Sequence, residues 1–229
     1  MTDTNGTFVL IGSQAARDEH LARRLLELAP GSRVAVVPLA AAFGSPEQEV
    51  VAAAGWLNAA GAEVEGVMAM NRVEADTEAL AARVADADVA FLVDGSAMHL
   101  RTAIKATHLL SEIEALLARG GVVAAEGSSA TVLCDPMVDP RGGAPTVGLG
   151  LLHGVTVISH IAGESDETAT DKLERTASLV PPELPVLGLA ADAAVLIDAD
   201  RRLRVLGAGV VSVLRSGVEV DPEGLQLDR

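Results

Sequence analysis

The chain has no tyrosine, and rings of any kind make up only 2% of its 229 residues. A core must therefore come from Val, Leu, Ile and Ala, and the stacking platforms that single-stranded nucleic acid requires are missing. Basic residues are scarce too: 17 Lys and Arg stand against 32 Asp and Glu, a formal charge of −15. Such a surface repels phosphate backbones, so nucleic acid is not expected as a partner. A single cysteine excludes an internal disulfide. The opening "MTDTNGTFVLIGS" has neither a basic n-region nor a long apolar h-region. The longest apolar stretches, such as "VAVVPLAAAF", fall short of the ~20 residues that span a bilayer. These absences point to a cytoplasmic protein with no membrane partner.

What is present is apolar and regularly punctuated. Nearly half the residues are hydrophobic, and a chain of this length buries roughly three quarters of its unfolded surface as one domain, 1–229. Short Val/Ile/Leu runs alternate with helical periods, the pattern of βαβ units on a parallel sheet. "TFVLIG" (7–12), "VAVVP" (34–38), "AEVEGVM" (62–68), "VAFLV" (89–93) and "VVAA" (122–125) read as strands. Leu21, Leu25 and Leu28 mark one helix face, and Ser45 with Pro46 opens another helix that Gly61 closes. Leu80 and Val84 place a helix over 76–86, and "HLLSEIEALLARGG" gives one ending before Gly120. After "VTVIS" (155–159) and a helix around 166–179, the runs "AAVLID", "LRVLG" and "GVVSVL" predict an antiparallel meander on the sheet edge. The fold class is thus α/β, a mostly parallel sheet with helices on both faces and a C-terminal meander.

Cofactor motifs fail. "GSQAARD" after the first strand lacks the second and third glycines of a dinucleotide fingerprint, and no glycine-rich loop ends in Gly-Lys-Ser/Thr. The five histidines are scattered, with no spacing to Cys134 or to one another that makes a tetrahedral set. No cofactor and no metal are expected.

The stretch "VVAAEGSSATVLCDPM" (122–137) is different. A buried strand running through Gly-Ser-Ser into a helix is where an α/β hydrolase holds its nucleophile, on a strained turn that aims the first helical N–H groups at the group under attack. Gly127 and Ser129 stand in the Gly-x-Ser relation. The alternative, that Ser128 or Ser129 caps a helix starting at Ala130, stays open.

The order of "DGSAMHLR" (94–101), "EGSSAT" (126–131), "GLGLLHGVTVISH" (148–160) and "GLAADAAVLID" (188–198) resembles the dipeptidase E and cyanophycinase family of serine peptidases, over roughly residues 7–214. The resemblance implies a class I glutamine-amidotransferase-like, flavodoxin-like fold. That family's Gly-Thr-Ser-Ala-Gly elbow maps onto 127–131, which implies Ser129 as nucleophile. Its glycine loop maps onto Asp94 and Gly95, implying the N–H groups of Gly95 and Ala130 as oxyanion donors. Its base maps onto His160.

Departures accompany the match. Thr131 replaces the last glycine of the elbow, Asp94 puts a negative charge beside an oxyanion site, and Ala191 stands where cyanophycinase-like members carry the orienting acid. Dipeptidase E-like members use an aspartate in the loop between elbow and histidine, which implies Asp139 in that role; Asp135, Glu164, Asp166 and Glu167 are the other nearby carboxylates. Arg101 and Arg141 are candidate clamps for a substrate carboxylate. A glutaminase needs a thiol at the elbow, and Cys134 lies five residues past it.

Two functions follow. One is a serine hydrolase acting on a small peptide or amide, in the family an aspartyl or β-aspartyl dipeptide, through an acyl-Ser129 intermediate. The other is a catalytically impaired binding or regulatory protein on the same scaffold. The expected partners are the small substrate and, in a homodimer, a second copy of the chain.

Overall fold

The computed structural model describes residues 6–139, 143–161 and 167–228. Its core is a seven-stranded sheet whose first strand, β1 (Thr7–Ile11), is followed by helix α1 (Glu19–Leu28). There follow β2 (Arg33–Val37), α2 (Pro46–Ala59), β3 (Glu63–Gly66), the short α3 (Arg72–Ala75) and α4 (Glu78–Ala85). Next come β4 (Val89–Leu92), α5 (Ala97–Ile104), α6 (His108–Ala118), β5 (Val122–Glu126) and α7 (Ser128–Leu133). A two-stranded ribbon, β6 (Met137–Val138) with β7 (Pro145–Thr146), occupies the expected loop. The chain ends with β8 (Thr156–Ile161), α8 (Glu167–Leu179), β9 (Val186–Ala190), β10 (Ala194–Ile197), β11 (Leu203–Leu206), β12 (Val211–Arg215) and β13 (Val218–Val220).

Strand order in the main sheet is β11-β10-β1-β5-β4-β2-β3. The five strands from β1 to β3 pair in parallel, while β10 and β11 run antiparallel on the outer edge. Parallel strands covered on both faces must be apolar throughout, and β4 and β5 are buried at every position. Two apolar layers result. One packs Phe8, Leu10, Leu92, Ile113 and Val123 on one face, and the other packs Val9, Ile11, Leu25, Leu57 and Phe91 on the opposite face.

Local signals explain the helix starts. Asp18 caps α1 by accepting from the Leu21 N–H, and Thr107 caps α6 by accepting from Leu110. Ser45 and Pro46 do open α2, although the Ser45 side chain makes no capping bond.

The expected meander is half right. β10 and β11 form it on the edge of the main sheet, but β12 leaves to pair with β9 in a second, four-stranded sheet of order β13-β12-β9-β8. Leu187, Leu189 and Val213 of that sheet enter the same apolar layer as Phe8 and Leu10. Among the described residues no helix is long and apolar enough to cross a membrane.

Candidate functional site

The site begins where β5 ends. The five residues of β5 are fully buried, the Gly127 N–H donates to the Ile11 carbonyl of β1 at 2.8 Å, and the chain then turns straight into α7. Gly127 makes that turn with φ 57° and ψ −128°. A side chain is strained in this left-handed region, whereas glycine enters it freely. The strained turn residue of a nucleophile elbow is the nucleophile itself. In this chain it is Gly127.

The sequence reading expected Ser129 in that role. Set on this turn geometry, the Gly-Thr-Ser-Ala-Gly pattern would start at Ala125 and put Gly127 at the position of the serine. Ser129 is the second residue of α7 and has no exposed surface, and its Oγ donates to the Val93 carbonyl at 2.6 Å. It pins the helix to the chain just beyond β4 instead of facing a cleft.

The N–H groups around the turn already have acceptors. The Ala130 N–H is spent on the Gly127 carbonyl at 3.1 Å. The N–H of Ser128, directly after the turn, and that of Gly95 both donate to one atom, Oδ1 of Asp94, at 2.8 and 2.7 Å. The Ser128 hydroxyl lies 2.7 Å from the same oxygen and 2.5 Å from the Gly95 carbonyl, sharing one proton between two acceptors. Three donors therefore converge on a carboxylate, a charge-assisted arrangement. Gly95 is required here for space: a Cβ would run into the Ala40 carbonyl group. Gly127 is required for a related reason, because a Cβ there would land inside the carboxylate of Asp94.

Behind the turn lies a feature that motif reading missed. Glu126 has no exposed side-chain surface and is held by two parallel bonds from Arg17, 2.7 and 2.6 Å. The Arg17 guanidinium also stands 5.4 and 5.9 Å from the Phe91 and Trp56 ring centres. Burial pushes the Glu126 carboxyl above its ordinary range, and Arg17 opposes the shift. A charged residue ending an otherwise apolar strand was the available signal, since a buried charge needs a partner.

The other expected residues come from several elements. His160 lies near the end of β8, with its side chain outside the described residues. Asp139 sits at the turn of the β6–β7 ribbon, half-buried, with backbone bonds to Gly143 and Ala144. Asp135 is half-buried, and its Oδ1 accepts from the Gly148 N–H at 3.4 Å. Arg101 is on α5, and its Nε is buried with no hydrogen-bond partner. Arg141, Glu164 and Asp166 lie outside the described residues, as does the side chain of Glu167. Cys134 is fully buried, which pushes its thiol up to about 12. Among the described residues no three His, Cys, Asp or Glu gather as metal ligands.

A cleft of about 430 Å³ opens beside the turn, lined by Gln14, Phe43, Glu49, Asp94, Gly95 and Ser96 among others. Its walls are loops that follow β1, β2 and β4. In open α/β sheets the crevice beyond the carboxyl ends of the strands is where ligands bind. Phe43 is 81% exposed and packs against the His99 ring, 4.5 Å between centroids.

Comparison with known proteins agrees with the fold. The sequence profile of peptidase family S51 matches residues 8–205. Among solved structures, a peptidase from an acI-B1 Actinobacterium superposes with a TM-score of 0.79 at 21% identity, covering 100% of this chain and 97% of that one. A peptidase E-like protein from Listeria monocytogenes EGD-e gives 0.67 at 14% identity, covering 89% and 98%. A search of curated proteins gives no match.

Proposed function

Since the chain belongs to peptidase family S51, we propose that it keeps the family's ligand cleft but has exchanged acyl-serine chemistry for the binding of a small molecule. Membership supports a peptidase function for the scaffold. The serine route, however, needs a hydroxyl at the strained turn, a base to take its proton, and two N–H donors free to hold the oxyanion. Gly127 supplies no hydroxyl. The donors of Gly95 and Ser128 are bonded to Asp94, and the proton of the buried Ser129 is committed to Val93. The observation that carries this reading is the Asp94 carboxylate at the place where a side chain on residue 127 would stand.

A second reading keeps hydrolysis and moves it to Ser128. It is favoured by one contact: this half-buried hydroxyl already has a carboxylate oxygen 2.7 Å away to take its proton. In that case His160 would be spared the role of base, and the oxyanion would compete with Asp94 for the two N–H groups.

A fluorophosphonate probe followed by intact mass and peptide mapping separates these readings, alongside turnover of α- and β-aspartyl dipeptides. The proposal expects no serine adduct and no turnover. An adduct lost in Ser128→Ala establishes the second reading, and one lost only in Ser129→Ala restores the acyl-Ser129 mechanism.

A further inference from the structure

Arg17 stands between two carboxylates, one in the core and one at the cleft. With 6% of its side chain exposed, it donates from Nε and Nη2 to the fully buried Glu126 at 2.7 and 2.6 Å. The same Nη2 lies 3.9 Å from Oε2 of Glu49, a side chain 28% exposed that lines the cleft from α2. From this arrangement we infer that Arg17 is a two-position latch, held on Glu126 at neutral pH and passed to Glu49 when acid protonates Glu126. The latch acts on the cleft wall whichever reading of the serines is right.

The second position is close. A movement of about 1 Å brings Nη2 to the length of a charge-assisted bond with Glu49. That oxygen of Glu49 accepts from Gln14 Nε2 at 2.6 Å, and a carboxylate has room for further donors. The Arg17 guanidinium stands 5.4 and 5.9 Å from the Phe91 and Trp56 ring centres. Ring faces attract a cation over a range of positions, so so small a movement keeps both contacts.

The proton supplies the drive. Two charged groups act on Glu126: Arg17 from the segment between β1 and α1, and Asp94 from the loop after β4. Glu49 faces Arg17 from the far side. Burial raises the Glu126 carboxyl above its ordinary 4.5, Arg17 opposes the rise, and the Asp94 charge adds to it. Once Glu126 is neutral, Arg17 is a nearly buried cation without a counter-ion, which is a costly state. Glu49, which water reaches, is then the carboxylate a small movement away. The transfer carries positive charge from the core to the wall of the cleft.

Trp56 is the chain's only tryptophan and so reports on Arg17. The test titrates the full chain from about pH 8 to about pH 4, following Trp56 emission and the Arg17 Nε–H signal by NMR. Both are expected to move through one transition with a midpoint above 4.5, the ordinary glutamate value. Glu126→Gln keeps the shape of the neutral acid, so at pH 8 it should already show the acid-form signals, and its crystal structure should show Arg17 bonded to Glu49. Glu49→Gln, at a part-exposed position, keeps the fold and removes the destination. In that variant the Arg17 signal should hold its neutral-pH position through the range in which wild type moves. An Arg17 signal that ignores pH in wild type, or that moves identically in Glu49→Gln, overturns the inference. So does an Arg17 that stays on residue 126 in the Glu126→Gln crystal. Should Glu126→Gln fail to fold, the comparison of wild type with Glu49→Gln decides alone.

Discussion

The carboxylate of Asp94 occupies the volume into which any side chain on Gly127 would have to project. Two positions 33 residues apart are therefore coupled: the aspartate requires the glycine, and the glycine makes room for the aspartate.

That coupling predicts a non-additive pair. Gly127→Ser introduces both a strained φ and a clash, and should destabilise the protein by about 1–3 kcal/mol from backbone strain alone, with the clash added. Asp94→Gly in the same chain removes the clash, so the double variant should be more stable than the single Gly127→Ser. Urea unfolding of the three variants measures the interaction energy, and strict additivity would show that the two positions do not touch.

Ser129→Ala is expected to act on stability and not on any reaction. It leaves the buried Val93 carbonyl without its hydroxyl donor, a loss of about 1–3 kcal/mol. Chemical denaturation checks the direction. Fluorophosphonate labelling of the unmutated chain, abolished by this substitution, would contradict it.

Arg17 and Glu126 support the turn from below. Replacing Arg17 by Met strands a carboxylate that has no exposed surface, at a cost of about 3–5 kcal/mol. Replacing both, Arg17→Met with Glu126→Leu, should recover much of that loss, because the unpaired charge goes with its partner. Thermal or urea unfolding of the single and double variants reads the difference.

A pH effect is expected at the start of α6. His108 lies beside Asp76 and Glu78, and its hydrogen bond to the Asp76 backbone, followed by the Asp76 side chain, raises its pKa above the ordinary value. A base whose folded value is raised contributes stability that is complete below its unfolded value and is lost as pH rises through the folded one. Wild type should exceed His108→Gln in melting temperature below about pH 6, and the gap should narrow above about pH 8. A gap that widens with pH would reverse the sign.

Much of the scaffold was legible in the sequence because its signals are local. Fully apolar runs marked the buried parallel strands, and Ser45, Pro46 and Gly61 bounded α2. What failed was partner choice. "GVVSVL" looks like the next strand of a meander, yet β12 pairs with β9, and nothing in an alternating run names the sheet it will join. The turn residue was not legible for a comparable reason. Gly127 and Ser129 satisfy a Gly-x-Ser pattern, but which residue takes the left-handed turn depends on where β5 ends against β1, and that is fixed by pairing of Ile11 with Glu126. Asp94 was recognised as an oddity beside an oxyanion site. Its seat on the Gly95 and Ser128 N–H groups appears only once the β4 and β5 loops are side by side.

The central claim is that Asp94 holds the donor pair that an oxyanion would use. Its most direct measurement is a pH titration by NMR that follows the Asp94 carboxyl carbon together with the amide protons of Gly95 and Ser128. The account predicts that all three move through one shared transition, and that Asp94→Asn removes it from both amides. Amide signals of Gly95 and Ser128 that stay indifferent to the ionisation of Asp94 would contradict it.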